Sequence, residues 1–419
     1  MGAYQWLVVA LTVLLNMLDG FDVLALAFTA KSITAELGLT GLQIGSLMSA
    51  GLIGMLLGAL LLAPLADKFG RRPLLLWATA ISALGMGMTY FAHHQESIWL
   101  SRLVTGIGVG GILTCTNVIV SEYANRRFRH LAIAIYASGF GVGAMLGGLS
   151  AVFLQTEYGW RSVFITGALL TLVALLVLYI WLPESVDFLM NQRTEKAKAR
   201  LHAVAKRIGK PGDWDIPASA PKKQRVSVLR LFERGYMRNT LLIWIAFIAV
   251  TASYYFVSQW TPSLLETAGM KKEESQTVGM AISLGGTFGS LLFGFLASRW
   301  AARHMLLAFT VLSAIAVVAF VFSQTLALAL VLAVVVGALM NGCITGLYTI
   351  NPSLYDADFR STGVGTAIGV GRLGAIVSPM LGGKLLDDGW QKDDLYLGIA
   401  AIILIATLAV AFIRPRAQH

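Results

Sequence analysis

The chain has 419 residues, of which 57% are hydrophobic and only 13% charged, and its mean hydropathy is +0.72. Soluble proteins carry about 25% charged residues, so the composition excludes an ordinary soluble domain and predicts an integral membrane protein. A net charge of +10 could indicate a nucleic-acid partner. The basic residues lie between the apolar runs, however, and we expect the partner to be the lipid bilayer and no nucleic acid.

Twelve apolar runs are long enough for the roughly 20 residues that cross a bilayer as a helix. They are predicted near residues 6–30, 40–65, 73–92, 98–120, 130–153, 162–182, 240–264, 275–297, 304–323, 325–349, 361–385 and 393–413. The first run begins MGAYQWLVV, without basic residues, and no small-residue cleavage site follows it. It is therefore predicted to be a span and not a cleaved signal.

Lysine and arginine are distributed unequally between the two sides of the predicted membrane. With the N-terminus in the cytoplasm, 24 of the 32 basic residues fall in cytoplasmic segments and six on the opposite side. Cytoplasmic loops carry an excess of positive charge. The sequence therefore predicts that both termini are cytoplasmic.

The two halves of the chain repeat one another. Residues 63–72, APLADKFGRR, correspond to residues 294–303, GFLASRWAAR. A duplicated unit of spans is how many transporters enclose a central site between two rocking halves. We therefore predict an all-α membrane protein with twelve transmembrane helices in two pseudo-symmetric six-helix bundles. The predicted domains are an N-terminal bundle at 1–190, a cytoplasmic linker at 191–235 and a C-terminal bundle at 236–419.

The longest polar segment separates the two sets of six spans. Within it, TEKAKARLHAVAKRIG at 194–209 is typical of a basic amphipathic helix on the cytoplasmic face. The following KPGDWDIPASAPKK at 210–223 is rich in proline and glycine and predicts a loop.

The first span, NMLDGFDVLALAF at 16–28, carries Asp19 and Asp22 three residues apart, on one face of a helix. An ionised carboxylate there costs roughly 2.5–3.5 kcal/mol. The matching positions of the second half are Val250 and Ser253, so the scaffold is duplicated and the acids are not. A carboxylic acid in a low-dielectric site resists ionisation and can exchange protons. We predict proton coupling, with Asp22 the better acceptor; a structural salt bridge between Asp22 and Arg102 is the alternative, and Asp19 alone could be structural.

The loop after the second span, LADKFGRRPLLL at 65–76, predicts a cytoplasmic gate. Asp67 can cap a helix N-terminus, Gly70 permits a tight turn, and Arg71 and Arg72 can reach carboxylates such as Glu122. The stretch resembles the G-x-L-A-D-x-x-G-R-[RK] signature of the major facilitator superfamily, with alanine in place of its first glycine. That resemblance implies the twelve-helix fold and transport by alternating access.

DGFD at 19–22 resembles the first span of the aromatic acid:proton symporters of that superfamily. SRLVTGIGVGG at 101–111, WTPSLL at 260–265 and RSTGVGTAIGVGRLGAIVSP at 360–379 agree with it. The resemblance implies proton-coupled uptake through Asp19 and Asp22 across a bacterial inner membrane. Arg102 opens an R-x-x-x-G motif that the superfamily links to proton transfer; a snorkelling arginine is the alternative.

Arg372, in GVGRLG at 369–374, falls near the middle of a predicted span, from which snorkelling is difficult. A guanidinium binds a carboxylate with two parallel hydrogen bonds. We predict that Arg372 binds the substrate carboxylate; pairing with Asp19 or Asp22 is the alternative. The same letters match a dinucleotide motif, but they lie in a membrane helix and not after a strand, so no such cofactor is expected.

Aromatic and amide side chains in two spans of the second half suit a planar aromatic ligand. The predicted substrate-binding residues are Tyr254, Tyr255, Gln259, Trp260, Asn341 and Tyr348. Interfacial or core packing is the alternative for each of them.

The sequence predicts no metal site and no cofactor. Cys115 and Cys343 lie singly in spans, the six histidines are scattered, and no nucleotide-binding P-loop occurs. Together with the buried acids and Arg372, the resemblance implies a non-enzymatic symporter that imports a benzoate-like or hydroxybenzoate-like anion with protons, and we expect it to act as a monomer. Alternatives are import of a ring-cleavage dicarboxylate such as muconate, or proton-coupled export. A membrane aspartyl protease, suggested by LYD at 354–356, or a sensor is a remote alternative.

Overall fold

The computed structural model describes residues 1–125, 128–192, 194–208, 228–233, 235–323, 325–356 and 359–413. The predicted loop at 210–223 lies outside these residues. The described chain is almost entirely helical. Its α-helices are α1 Ala3–Leu37, α2 Gly41–Phe69, α3 Arg71–Tyr90, α4 Gln95–Tyr123, α5 Arg129–Tyr158, α6 Arg161–Trp181, α7 Val186–Asn191, α8 Glu195–Ile208, α9 Met237–Thr267, α10 Lys272–Ala297, α11 Ala302–Val321, α12 Leu326–Ile350, α13 Arg360–Asp387 and α14 Lys392–Phe412. Short 3₁₀ helices at Val228–Phe232 and Asn351–Leu354 precede α9 and α13.

Twelve of the helices in the described part of the chain are long and apolar enough to cross a membrane. They coincide with the twelve predicted spans, which are confirmed. Several extend beyond the roughly 20 residues that span the hydrocarbon layer; α1 and α9 have 35 and 31 residues. In lipid a helix satisfies every backbone polar group internally, so each apolar run can fold only in this way.

The first of two compact units comprises Met1–Val23, Ile53–Gly143 and Arg161–Gln224. Its main core joins α1, α3, α4 and α6 through buried side chains such as Leu15, Leu75, Ile119 and Leu178. The predicted amphipathic helix is present as α8. Its apolar face is buried against the protein, because Leu201 packs with Leu189 of α7 in a small core of their own.

The second unit comprises Leu24–Leu52, Ala144–Trp160 and Arg225–His419. Its core is rich in phenylalanine, including Phe247 of α9, Phe293 of α10 and Phe309 of α11. Helices α10 and α12 pack with their backbones in contact, since a Cβ at Gly285 would overlap the Val334 carbonyl. The predicted domain boundaries after residues 190 and 235 remain predictions.

Candidate functional site

The centre of the first unit holds a buried ion pair. Asp22 of α1 is 4% exposed and Arg102 of α4 is 3% exposed. Nη1 of Arg102 donates to Oδ1 of Asp22 at 2.6 Å, and Nη2 donates to Oδ2 at 2.9 Å. Nη2 also lies 3.3 Å from the Asp22 carbonyl oxygen, and the guanidinium carbon is 5.8 Å from the centre of the Phe164 ring. The pair is bidentate and desolvated, the geometry in which a charge-assisted bond is strongest.

Glycines on the neighbouring helices determine where Arg102 lies. A Cβ at Gly54 of α2 would overlap the carbonyl of Leu103, and one at Gly85 of α3 would overlap Thr105. Small residues let membrane helices approach to backbone contact. Helix α4 is therefore held against α2 and α3, and this places Arg102 opposite α1. Both Nη atoms of Arg102 bond to Asp22, and its side chain does not reach the protein surface.

A second polar cluster in the first unit surrounds Asp19, which is 4% exposed. The Tyr136 phenol of α5 interacts with it electrostatically. The Tyr136 hydroxyl is 2.9 Å from the Thr116 hydroxyl of α4, and Asn16 donates from Nδ2 to the Tyr136 carbonyl at 2.7 Å. Sequence reasoning missed Asn16, Thr116 and Tyr136. The available signal was the position of Asn16, one helical turn before Asp19 on the same face.

Arg372 lies in α13 of the second unit, partly buried. Within the described residues it has no hydrogen bond or ion pair, and it interacts electrostatically with the Tyr348 phenol of α12. The Tyr348 ring packs edge-on against Phe247 of α9 with centroids 5.7 Å apart. A cationic fork is thus placed beside an aromatic wall made by α9 and α12, a combination suited to an aromatic anion.

Helix α9 contributes the remaining predicted aromatic and amide side chains. Tyr254 and Tyr255 contact each other edge to face, with centroids 5.5 Å apart. Gln259 is 2% exposed, and its buried Oε1 accepts no hydrogen bond within the described part of the chain. Because buried polar atoms are nearly always bonded, this oxygen marks a place where a partner is needed. The Trp260 indole, in contrast, donates from Nε1 to the Pro379 carbonyl at 3.1 Å and so fixes α9 to α13.

Asn341 of α12 is partly buried and packs against α10. A Cβ at Gly286 would stand 2.9 Å from its Nδ2 atom. One turn later, the Thr345 hydroxyl donates to the Ser290 hydroxyl at 3.0 Å and also to the Asn341 carbonyl. A narrow polar seam therefore runs along α10 and α12.

The predicted gate motif forms a compact charge network at the start of α3. Gly70 has φ +104° and links α2 to α3 in a turn that favours glycine. Arg71 pairs with Glu122 of α4, as expected from the sequence, and its Nη1 also donates to the Ser185 hydroxyl at 2.7 Å. Arg72 donates to the Tyr179 carbonyl at 2.7 Å. Asp67 lies in α2, but its side chain falls outside the described residues.

Sequence reasoning missed two residues of this network. Oε1 of Glu184 accepts the backbone N–H groups of Arg71, Arg72 and Ser185 at 2.8, 3.1 and 2.8 Å. The Ser185 hydroxyl donates to Oε2 of Glu122 at 2.7 Å. A carboxylate is favourable at a helix N-terminus, where N–H groups are unpaired. The signal was LPESVDFL directly after the sixth span, an acidic residue and a serine on the side already predicted to carry the gate.

At one end of the second unit, polar contacts join α13 to the start of α2 and α9 to α1. The Asp387 carboxylate of α13 accepts the N–H groups of Gly41 and Leu42 at 2.7 and 2.8 Å. Lys31 pairs with Glu266 at 3.4 Å. The Asp387 carboxylate caps the first turn of α2 and holds it against the end of α13, and the Lys31–Glu266 pair joins α1 to α9.

Among the described residues, no three His, Cys, Asp or Glu side chains come close enough together to hold a metal ion.

The chain is similar to known transport proteins over nearly its whole length. The family model described as the Major Facilitator Superfamily matches residues 11–289 and 266–419. A gallate transporter of Pseudomonas putida is 33% identical over 98% of this chain and 92% of that protein. The 4-hydroxybenzoate transporter PcaK of the same species is 30% identical over the same shares. The 3-(3-hydroxy-phenyl)propionate transporter of Escherichia coli is 30% identical over 98% of this chain and 94% of its own.

Two solved structures show the same fold. The xylose transporter XylE of E. coli, in an inward open conformation, covers 99% of this chain and 97% of its own with a TM-score of 0.77 and 15% identity. A bacterial homologue of the human lysosomal transporter Spinster covers the same shares with a TM-score of 0.71 and 19% identity. At such identities the likeness concerns the fold alone. The predicted all-α fold of twelve transmembrane helices is confirmed.

Proposed function

Because the chain belongs to the Major Facilitator Superfamily, and is a multi-pass transport protein and not an enzyme, we propose that it imports an aromatic carboxylate together with protons by alternating access. The observation that carries this proposal is the buried, bidentate Asp22–Arg102 pair. Ionisable side chains inside membrane spans are costly and are kept for ion and substrate pathways. The similarity to gallate and 4-hydroxybenzoate transporters supports the substrate class.

The proton step uses Asp22 in two states. As a carboxylate it is held by Arg102, whose guanidinium stays charged under all physiological conditions. A proton on Asp22 removes the ionic part of this bond and frees Arg102 to interact elsewhere. Asp19, one turn earlier and beside Tyr136, is the second candidate for a proton site. Proton binding thereby changes the contacts of α1 with α4, which gives the gradient a means of driving a conformational change.

The substrate step uses Arg372 and the aromatic side chains near it. The guanidinium takes the carboxylate with two hydrogen bonds, and the Tyr348 ring offers its face or edge to the aromatic ring of the substrate. The buried Oε1 of Gln259 accepts a hydrogen bond from a ring hydroxyl. A hydroxybenzoate has both a carboxylate and a hydroxyl and so satisfies both partners, whereas benzoate satisfies only Arg372.

Alternating access requires the contacts on the two sides of the membrane to break in turn. The Asp387 cap on α2 and the Lys31–Glu266 pair close the end predicted to face outwards. The Arg71–Glu122–Ser185 network belongs to the end predicted to face the cytoplasm. We propose that the protein acts as a monomer in a bacterial inner membrane, with both termini in the cytoplasm.

Uptake of labelled 4-hydroxybenzoate into proteoliposomes tests the proposal directly. We expect accumulation against a concentration gradient when an inward proton gradient is imposed, and its loss when a protonophore collapses that gradient. Unlabelled gallate and muconate are added as competitors to separate the aromatic from the dicarboxylate class. Uptake that is indifferent to the proton gradient would remove proton symport, and exit from preloaded vesicles under an inward gradient would indicate an exporter.

A further inference from the structure

A cavity of about 300 Å³ lies within the first unit, outside the elements described so far as candidate substrate or proton sites. The end of α6, the start of α3 and one face of α8 form its walls. Its charged and aromatic lining consists of Tyr4, Arg72, Trp181, Glu184, Arg200 and Arg207. Three guanidinium groups thus converge on one pocket that holds a single carboxylate.

That carboxylate keeps its negative charge but already accepts hydrogen bonds from backbone groups. Oε1 of Glu184 accepts three backbone N–H groups at the start of α3 and at Ser185. The arginines keep donors for a ligand, since a guanidinium has five N–H groups and the bond from Arg72 to the Tyr179 carbonyl uses one. Arg207 lies over the Tyr4 ring at 5.5 Å. The cavity therefore carries a net positive charge.

The fold of α8 presents two of the arginines together. Arg200 and Arg207 are seven residues apart, which places them on one side of the helix, and both are exposed. The apolar face of α8, including Leu201 and Val204, is buried in the protein. Packing of the apolar face fixes the position of α8 and thereby places both arginines at the mouth of the cavity, and Arg200 has no ion-pair partner within the described residues.

An apolar surface adjoins the cavity along α6. Tyr179, Ile180 and Trp181 are 65%, 67% and 50% exposed, and Leu176 one turn earlier is 64% exposed. Tyrosine and tryptophan concentrate where a bilayer meets water. The Tyr4 hydroxyl is buried and forms no hydrogen bond within the described part of the chain. A ligand that fits has an anionic oxygen-rich head for the arginines and Tyr4, and an apolar tail for α6.

We propose that this cavity binds an anionic phospholipid, with its phosphate held by Arg72, Arg200 and Arg207 and an acyl chain lying along α6. Basic pockets between membrane helices on the cytoplasmic side are suited to anionic head groups. The apolar surface beside the pocket favours a lipid over a free phosphate ion. Arg72 also begins α3 next to the Arg71–Glu122 pair, so a bound lipid contacts the predicted gate. The site does not depend on which substrate is transported.

Binding is measured by native mass spectrometry of the full chain in detergent, with four probes added in turn. The probes are dioctanoyl phosphatidylglycerol, dioctanoyl phosphatidylcholine, glycerol 1-phosphate and inorganic phosphate. We expect saturable binding of phosphatidylglycerol, with an affinity at least about 10-fold above that of phosphatidylcholine, because the first lipid is anionic whereas the choline cation of the second cancels the charge of its phosphate. Neither glycerol 1-phosphate nor inorganic phosphate should compete at equal concentration.

The double variant Arg200→Gln/Arg207→Gln is expected to lose about 10-fold or more of the affinity for phosphatidylglycerol. Its matched control is Lys198→Gln/Lys206→Gln, which removes the same charge from the same helix but from residues that do not line the cavity. Equal loss in both variants would show a general charge effect and overturn the site. Unchanged binding in the arginine variant, equal affinity for phosphatidylcholine, or full competition by inorganic phosphate would each overturn the proposal as well. Thermal unfolding of both variants shows whether either one is misfolded. If the arginine double variant is misfolded, Arg200→Gln alone replaces it, and we expect that variant also to lose affinity for phosphatidylglycerol.

Discussion

Arg102 holds Asp22 with both arms of its guanidinium, at 2.6 and 2.9 Å, although the two residues are 80 positions apart in the chain. Neither residue is more than 4% exposed. Desolvating two charges is costly, and a buried pair adds little net stability compared with apolar side chains of the same size. The pair is therefore better explained by what it can do than by what it stabilises. The proposed proton step follows from this.

Asp22→Asn is expected to abolish gradient-driven accumulation, lowering it about 10-fold or more, because an amide cannot take up and release a proton. Substrate exchange across the membrane without a gradient should persist. Both are measured in the same proteoliposomes. Asp22→Asn also leaves Arg102 buried without its anion, which costs roughly 3–5 kcal/mol of stability. Asp22→Asn/Arg102→Gln removes both charges and should recover much of that stability, while accumulation remains uncoupled from the proton gradient. Full accumulation by either variant would show that the pair has a structural role.

Arg372→Lys is expected to raise the KM for 4-hydroxybenzoate about 10-fold or more, because a point charge replaces a planar fork that binds a carboxylate with two hydrogen bonds. Initial uptake rates over a range of substrate concentrations measure the effect. Lys384→Gln is the control, since it removes a positive charge from an exposed position of the same helix. An unchanged KM in Arg372→Lys would exclude Arg372 from the binding site.

Gly70→Ala is expected to destabilise the protein by about 1–3 kcal/mol, because an L side chain is strained at φ +104°. The added Cβ would also stand 2.5 Å from Oε2 of Glu184. Thermal unfolding of the purified protein measures the change. Gly87→Ala, within α3, serves as the control: a Cβ there has no neighbour within 4 Å, and it should leave stability unchanged or raise it by roughly 0.5–1 kcal/mol. A loss in Gly87→Ala as large as that in Gly70→Ala would contradict the assignment to the turn.

Asp387→Ala is expected to speed amide exchange at Gly41 and Leu42 about 2- to 30-fold, because removing a side-chain cap costs about 0.5–2 kcal/mol. Hydrogen–deuterium exchange of a peptide that covers the start of α2 detects this. Asp388→Ala changes a neighbouring acid that forms no hydrogen bond to α2 within the described residues, and it should leave the exchange rate as it is. If both variants exchange alike, the Asp387 cap does not hold the start of α2 at that end of α13.

The polar residues show which contacts can be predicted from the sequence and which cannot. Arg71 and Arg72 were expected to reach carboxylates such as Glu122, and in the structure Arg71 pairs with Glu122. The role of Glu184 was not foreseen, because an acid after the sixth span is assigned to a helix N-terminus only once that helix is placed in space. Trp260 illustrates the converse. An aromatic residue in a span is equally consistent with ligand binding and packing, and its bond to the Pro379 carbonyl depends on how α9 meets α13.

The sequence by itself determined the twelve helices, because an apolar run in lipid must satisfy its own backbone and only a helix does so within one segment. It also determined the turn at Gly70, since few residues besides glycine favour a positive φ. Only the tertiary structure decided which partners the buried charges have: Arg102 meets Asp22 because glycine contacts hold α4 in place, while Arg372 has no acid beside it among the described residues. Helical periodicity specifies the face on which a charge lies, but the partner across that face is set by helix packing, which depends on residues distant in the chain.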